Sequence, residues 1–152
     1  MVKEIAETMN VFSEIAFMDD NSSEAIGRID KIECFTKKYR NAVVAIGNAE
    51  TRMKFITILL NLGIKVPVLV SPKAYVSGSC HLGDGTIVEP LVVINTDTVI
   101  GKGCIISAGA VVNHNCIIDD GCHINCNATI EARVHLTKNI KIECGEVIKN
   151  DV

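Results

Sequence analysis

The sequence predicts an α/β amino-terminal unit over residues 1–70, followed by a hexapeptide-repeat solenoid over residues 71–152. Three observations lead there. From Ser71 the chain runs SPKAYV, SGSCHL, GDGTIV and onward to ECGEVI, thirteen consecutive hexads with an aliphatic residue at every sixth position. A fixed period marks a repeat fold. Residues 1–70 lack the period and alternate helix-like with strand-like spacing, the pattern of an α/β unit. Hydrophobic residues make up 48 % of the chain but aromatics only 4 %. Large rings fill most cores, so small and branched side chains must fill this one, and its cross-section is narrow.

The elements follow in order. Val2, Ile5, Ala6 and Met9 keep helical spacing. Residues 15–18 read as a strand ending at Asp19-Asp20, and the stretch to residue 38 is polar and turn-rich. Residues 42–46 read as a second strand, followed by Gly47-Asn48. Residues 51–62 read as a helix closed by Gly63, and residues 66–70 as a third strand. Ser71-Pro72 marks the boundary. Within the repeat the fourth position is mostly small: Ala74, Cys80, Thr86, Thr98, Cys104, Ala110, Cys116, Cys122 and Ala128. Positions two apart in a strand share a face, so positions four and six point inward and position five outward. Residues 149–152 are left as a tail.

Composition excludes several function classes. The 18 acids exceed the 15 bases, for a net charge of −3, which argues against nucleic-acid backbone binding. With 22 % charged residues and a mean hydropathy of +0.30, the chain is not a disordered one. The start has no uninterrupted apolar run of the secretory kind, and the longest apolar runs are too short to cross a bilayer. Seven cysteines is an odd number, so a complete disulfide framework is not the explanation. A reducing, cytoplasmic setting fits better, with the thiols serving as small apolar side chains.

The hexad pattern resembles the hexapeptide-repeat acyltransferases. The order FMDD, VVAIGNAETR, a helix, VPVLVSPKAYVS and then the repeat, with VVNHNC inside it, is similar to the sialic acid O-acetyltransferase and UDP-4-amino-sugar N-acetyltransferase family. The resemblance implies a left-handed parallel β-helix of three hexads per coil, so thirteen hexads make just over four coils, roughly 20 Å of solenoid at about 4.8 Å per rung. It also implies an acetyl-CoA-dependent transfer of acetyl to a sugar or nucleotide sugar in cell-surface glycan synthesis, with no metal, by a homotrimer binding CoA between neighbouring solenoids. Outward apolar residues Val93, Val99, Ile105, Val111 and Ile117 are expected to serve as the packing face. Family members open with a strand and a glycine-rich loop ahead of the first helix. This chain starts within that helix, so its Rossmann-like substrate-side unit reads as truncated, with weak or absent UDP binding.

The resemblance also assigns roles by position. His114 is the expected general base, a task suited to a side chain that titrates near neutrality. Asn115 stands where relatives usually carry Asp or Glu; an amide can fix the ring tautomer but cannot neutralise imidazolium. Asp97 lies one 18-residue coil below Asn115 and is a candidate for the missing carboxylate. His123 and Ala132, the latter through its backbone N–H, are the cofactor-side candidates. Asp19, Asp20, Gly47, Asn48 and Ser107 are the substrate-side candidates.

Two other readings remain open at this stage. A catalytically impaired trimeric scaffold would account for Asn115 and the missing loop. A metal hydratase of the γ-carbonic anhydrase kind needs histidines on one column. Only His81 and His135 share one, three coils apart, too far for Zn–N bonds of about 2.0–2.1 Å. The remaining metal-like group, His114, Cys116, Cys122, His123 and Cys126, is spread over different walls.

Overall fold

The computed structural model describes residues 1–150; Asp151 and Val152, the end of the expected tail, lie outside the described residues. Two helices, α1 (Val2–Met9) and α2 (Ala49–Asn61), and a 3₁₀ segment (Ile29–Phe35) precede fourteen two-residue strands. The strands form a left-handed parallel β-helix. Its first face stacks Leu69–Val70, Ile87–Val88, Ile105–Ile106, His123–Ile124 and Lys141–Ile142. The second stacks Tyr75–Val76, Val93–Ile94, Val111–Val112, Thr129–Ile130 and Val147–Ile148. The third stacks His81–Leu82, Val99–Ile100, Ile117–Ile118 and His135–Leu136. Partners are 18 residues apart throughout, as in Ile105↔His123 and Val99↔Ile117.

The hexad chemistry explains the coil. Position six is fully buried from Val88 to Ile130, and the fourth-position residues Cys104, Ala110, Cys116, Cys122 and Ala128 are buried beside it. Position three turns the corner in a left-handed conformation: Asp97, Asn115, Asn127 and Asn139 sit near φ +60°, as do Gly103 and Gly121. Gly, Asn and Asp bear that conformation at least cost.

Position four does more than fill space. The hydroxyls of Thr86 and Thr98 donate to the carbonyls of Gly101 and Asn113 at 2.8 Å. The thiols of Cys104, Cys116 and Cys122 donate to Asp119, Glu131 and Thr137 at 3.1–3.2 Å. A cysteine here is a small apolar group that also supplies a weak donor to the corner above. The hydrogen bond with Cys122, then burial, push the Cys104 thiol far up. All seven cysteines are free.

The amino-terminal unit departs from expectation. Both helices form, α2 capped by the Asn48 side chain accepting from Thr51 N–H at 2.9 Å. Residues 15–18 and 42–46 form no strand, and the unit holds one isolated parallel bridge among the described residues, Asn41↔Lys65. Residues 66–70 do not add a third strand to it. Leu69–Val70 instead pairs with Ile87–Val88 as the first rung of the solenoid. The hexad simply extends back to Lys65, and Leu69, in an outward position, is covered by Ile5 and Ala6 of α1.

Outward apolar positions do not make one packing face. Residues six apart lie on successive faces, so Val93 and Val111 belong to the second and Val99 and Ile117 to the third. Ile105 lies on the first face and is only 8 % exposed. Tyr75, Val99 and Ile117 remain exposed.

Candidate active site

His114 sits at the corner between the second and third faces, half-buried, with its Nδ1 2.8 Å from Asn115 Oδ1. An amide oxygen only accepts, so Nδ1 carries a proton, and in the neutral ring the lone pair is then on Nε2. Asn115 is suited twice over, since its φ of +59° is one that asparagine tolerates and that directs its amide back to the ring. Asp97 lies one coil below Asn115, exposed, with its backbone N–H on Ser79 Oγ. Its carboxylate makes no hydrogen bond to His114 among the described residues, and Nδ1 is already taken by Asn115. One coil above His114, the N–H of Ala132 has no acceptor among the described residues.

A second group gathers at the neighbouring corner, between the first and second faces, and on the first-face strand one rung above it. His123 Nε2 lies 3.1 Å from Ser107 Oγ, which is buried. Burial, then the charges of Arg52 and Lys141, lower the His123 pKa, so the ring is held neutral. Sequence reading missed the carboxylate beside this pair. Glu89 is 3 % exposed, one rung below Ser107, and accepts from Ala108 N–H at 2.9 Å. Burial raises its pKa. Four hexads carry an acid at the first position, Glu89, Asp119, Glu131 and Glu143, so position in the repeat did not single Glu89 out.

The amino-terminal unit lies against this first face. A cleft of about 300 Å³ is lined by Gly47, Asn48, Ala49 and Glu50 on one side and by Gly121, His123 and Lys141 on the other. Gly47 and Asn48 thus meet His123. Asp19 and Asp20 do not join them. Asp19 caps Asn21 N–H at 2.7 Å and lines a separate apolar groove of about 550 Å³; Asp20 caps Ile29 N–H at 2.9 Å. The Asp19 carboxylate thus closes a local turn, and that of Asp20 reaches nine residues on to the start of the 3₁₀ segment.

The contact between the units is set by glycines. Gly85, Gly103 and Gly121 stack 18 residues apart at one corner, all with positive φ. A Cβ at Gly103 would come within 2.6 Å of Ile56 Cδ1 and Met53 Sδ of α2. The corner is therefore bare so that α2 can lie on it. Arg52 of the same helix is fully buried between the units, another residue the sequence did not flag, because a single Arg in an amphipathic stretch looks solvated.

In one chain His114 and the Ser107–His123 pair occupy different corners, with the strand Val111–Val112 between them. Among the described residues no three His, Cys, Asp or Glu side chains come together as metal ligands, and no helix is long and apolar enough to cross a membrane.

Known proteins are similar over nearly the whole chain. A family model described as bacterial transferase hexapeptide (six repeats) matches residues 97–132, and one described as the PglD N-terminal domain matches residues 1–59. The acetyltransferase domain of PglB from Neisseria gonorrhoeae, solved with acetyl coenzyme A, superposes with a TM-score of 0.91 at 29 % identity, covering 96 % of this chain and 74 % of that one. A variant of perosamine N-acetyltransferase from Caulobacter crescentus, solved with CoA and GDP-perosamine, gives 0.83 at 24 % identity, with 99 % and 84 % covered. WeeI from Acinetobacter baumannii gives 0.69 at 19 %, with 95 % and 82 % covered. No curated protein sequence matches. The repeat, the coil and the amino-terminal unit agree: the chain carries a hexapeptide-repeat segment and a PglD-type amino-terminal domain, and it is similar to hexapeptide-repeat sugar acetyltransferases over nearly its whole length.

Proposed function

We propose that the protein transfers acetyl from acetyl-CoA directly to an amino or hydroxyl group of a nucleotide-linked sugar, with His114 as general base. The observation that carries this reading is the hydrogen bond from His114 Nδ1–H to Asn115 Oδ1. It leaves Nε2 unprotonated and aimed away from its support. Nε2 takes the acceptor's proton as nitrogen or oxygen attacks the thioester carbonyl. The thioester C–S bond then breaks and CoA leaves as its thiolate, which takes up a proton. The free N–H of Ala132, one coil up, is a donor of the kind that stabilises the oxyanion between these steps. No acyl-enzyme is invoked: the thiol beside His114, that of Cys116, is buried in the core and donates to backbone carbonyls.

The acceptor side is assigned to Gly47, Asn48 and Ser107 and the cofactor side to His123, which Ser107 contacts. The substrate classes follow the relatives, of which one was solved with acetyl coenzyme A and another with CoA and GDP-perosamine. The separation of His114 from Ser107 and His123 within one chain supports a shared site in a homotrimer, and exposed Val99 and Ile117 supply apolar surface for it. A cytoplasmic setting suits both acetyl-CoA and seven free thiols.

The deciding assay follows thiol release from acetyl-CoA against a panel of amino- and hydroxy-sugar nucleotides. Turnover with one of them, abolished in His114→Ala, supports the reading. Equal turnover of His114→Ala and wild type overturns the mechanism.

A further inference from the structure

Arg52 is a buried cation with no carboxylate partner. Such a charge is costly unless its donors are satisfied, and here four carbonyls do so. Nε donates to Gly103 O and Nη2 to Gly121 O, both at 2.7 Å. Nη1 donates to Ile46 O and Gly47 O, both at 2.8 Å. The first two carbonyls belong to the solenoid corner that feeds the strands beginning at Ile105 and His123. The other two belong to the amino-terminal unit, just before Asn48. One rigid, planar fork therefore fixes two walls of the chain relative to each other.

Those walls are the two sides of the 300 Å³ cleft. Gly47 lies on one of them, and nothing within the chain demands a glycine there. Its φ is not positive, and a Cβ would meet nothing within 4 Å. Its bareness keeps the cleft open rather than keeping the fold together. The same guanidinium is one of the charges that hold the opposite wall's His123 neutral.

We propose that Arg52 is a positioning residue that sets the spacing between the Gly47–Asn48 wall and His123, and thereby the fit of the acceptor sugar in the cleft. The acceptor part rests on the function proposed above. Arg52→Lys keeps the charge, but one ammonium cannot hold carbonyls on both walls in one plane. In a folded Arg52→Lys protein the acceptor KM rises at least about tenfold, while kcat and the acetyl-CoA KM stay within about threefold. An unchanged acceptor KM, or an equal rise in both KM values, overturns the proposal.

Two further measurements keep it testable. Gly47→Ala leaves the clamp intact and narrows the cleft directly; the acceptor KM rises with Tm unchanged, and an unchanged KM counts against the spacing. The His123 ring is also titrated by NMR in wild type, Arg52→Lys and Arg52→Met. The groups around that ring are Arg52 of α2, Glu50 on the facing cleft wall, Lys141 and Glu143 of the next rung, and Ser107. The ring titrates higher in Arg52→Met than in wild type; identical curves in all three proteins overturn the positioning role. If wild type acetylates no sugar, the acceptor reading falls, and a His123 titration that still follows Arg52 supports the positioning role alone.

Discussion

The two halves of this molecule solve backbone pairing in opposite ways. In the solenoid, strands of two residues suffice, because every one repeats 18 residues later in register. Each coil supports its neighbours, as in other quasi-one-dimensional folds. In the amino-terminal unit, the strand-like sequences at 15–18 and 42–46 are longer, yet join no ladder. That half is held instead by two helices and by side chains that reach the solenoid, above all Arg52. Repetition makes short elements cooperative. Without it, the unit depends on a few individual contacts, and those contacts also shape the cleft.

The contrast predicts how each half fails. His114→Ala, at a half-buried solenoid corner, lowers kcat by about 10²–10⁴-fold, the scale of general base catalysis, with no change in Tm. A large Tm loss would show that the solenoid corner carries stability as well as chemistry. Gly103→Ala attacks the contact between the halves. It forces a Cβ against Ile56 and Met53 at a φ of +61°. The expected cost is about 2 kcal/mol, or a Tm fall of about 6 °C, read by thermal melts. An unchanged Tm would mean that α2 does not need this corner.

Asn115→Asp sharpens the solenoid side. Aspartate also tolerates the left-handed conformation, and its carboxylate stabilises imidazolium where the amide cannot. The acidic limb of the kcat/KM profile moves to higher pH, and the plateau rate rises about two- to tenfold. A profile identical to wild type would mean that the neighbour only orients the ring. The smallest effect belongs to Glu89→Gln. Burial raises the Glu89 pKa in the folded state. The folded protein thus holds that proton more tightly than the unfolded chain, and loses stability as pH rises from the unfolded value through the folded one. The glutamine variant escapes this loss. It melts about 2 °C higher than wild type at neutral pH, and the gap closes once pH falls below about 4. A gap that persists in acid would place its origin outside the carboxyl proton.

Period alone made the solenoid legible. Aliphatic position six and small position four mark the coil, its 18-residue stacking and its inward faces without any long-range information. His114 was legible because VVNHNC sits at a fixed place in that period. Arg52 and Glu89 were not, since their importance lies in what distant segments bring to them. The strands expected at 15–18 and 42–46 have strand composition, but a strand also needs a neighbour, and pairing is not a local property.

The sequence by itself determined a triangular core of one branched and one small residue per hexad, and with it the low aromatic content. Only the tertiary structure decided that residues 66–70 join the solenoid, that the Asp20 carboxylate is bonded to Ile29 N–H, and that Gly47 faces His123 across a cleft. The physical reason is range. Hexad chemistry is satisfied within a coil and the next, whereas the cleft exists because a buried guanidinium ties carbonyls 51 and 69 residues away to those beside its own helix.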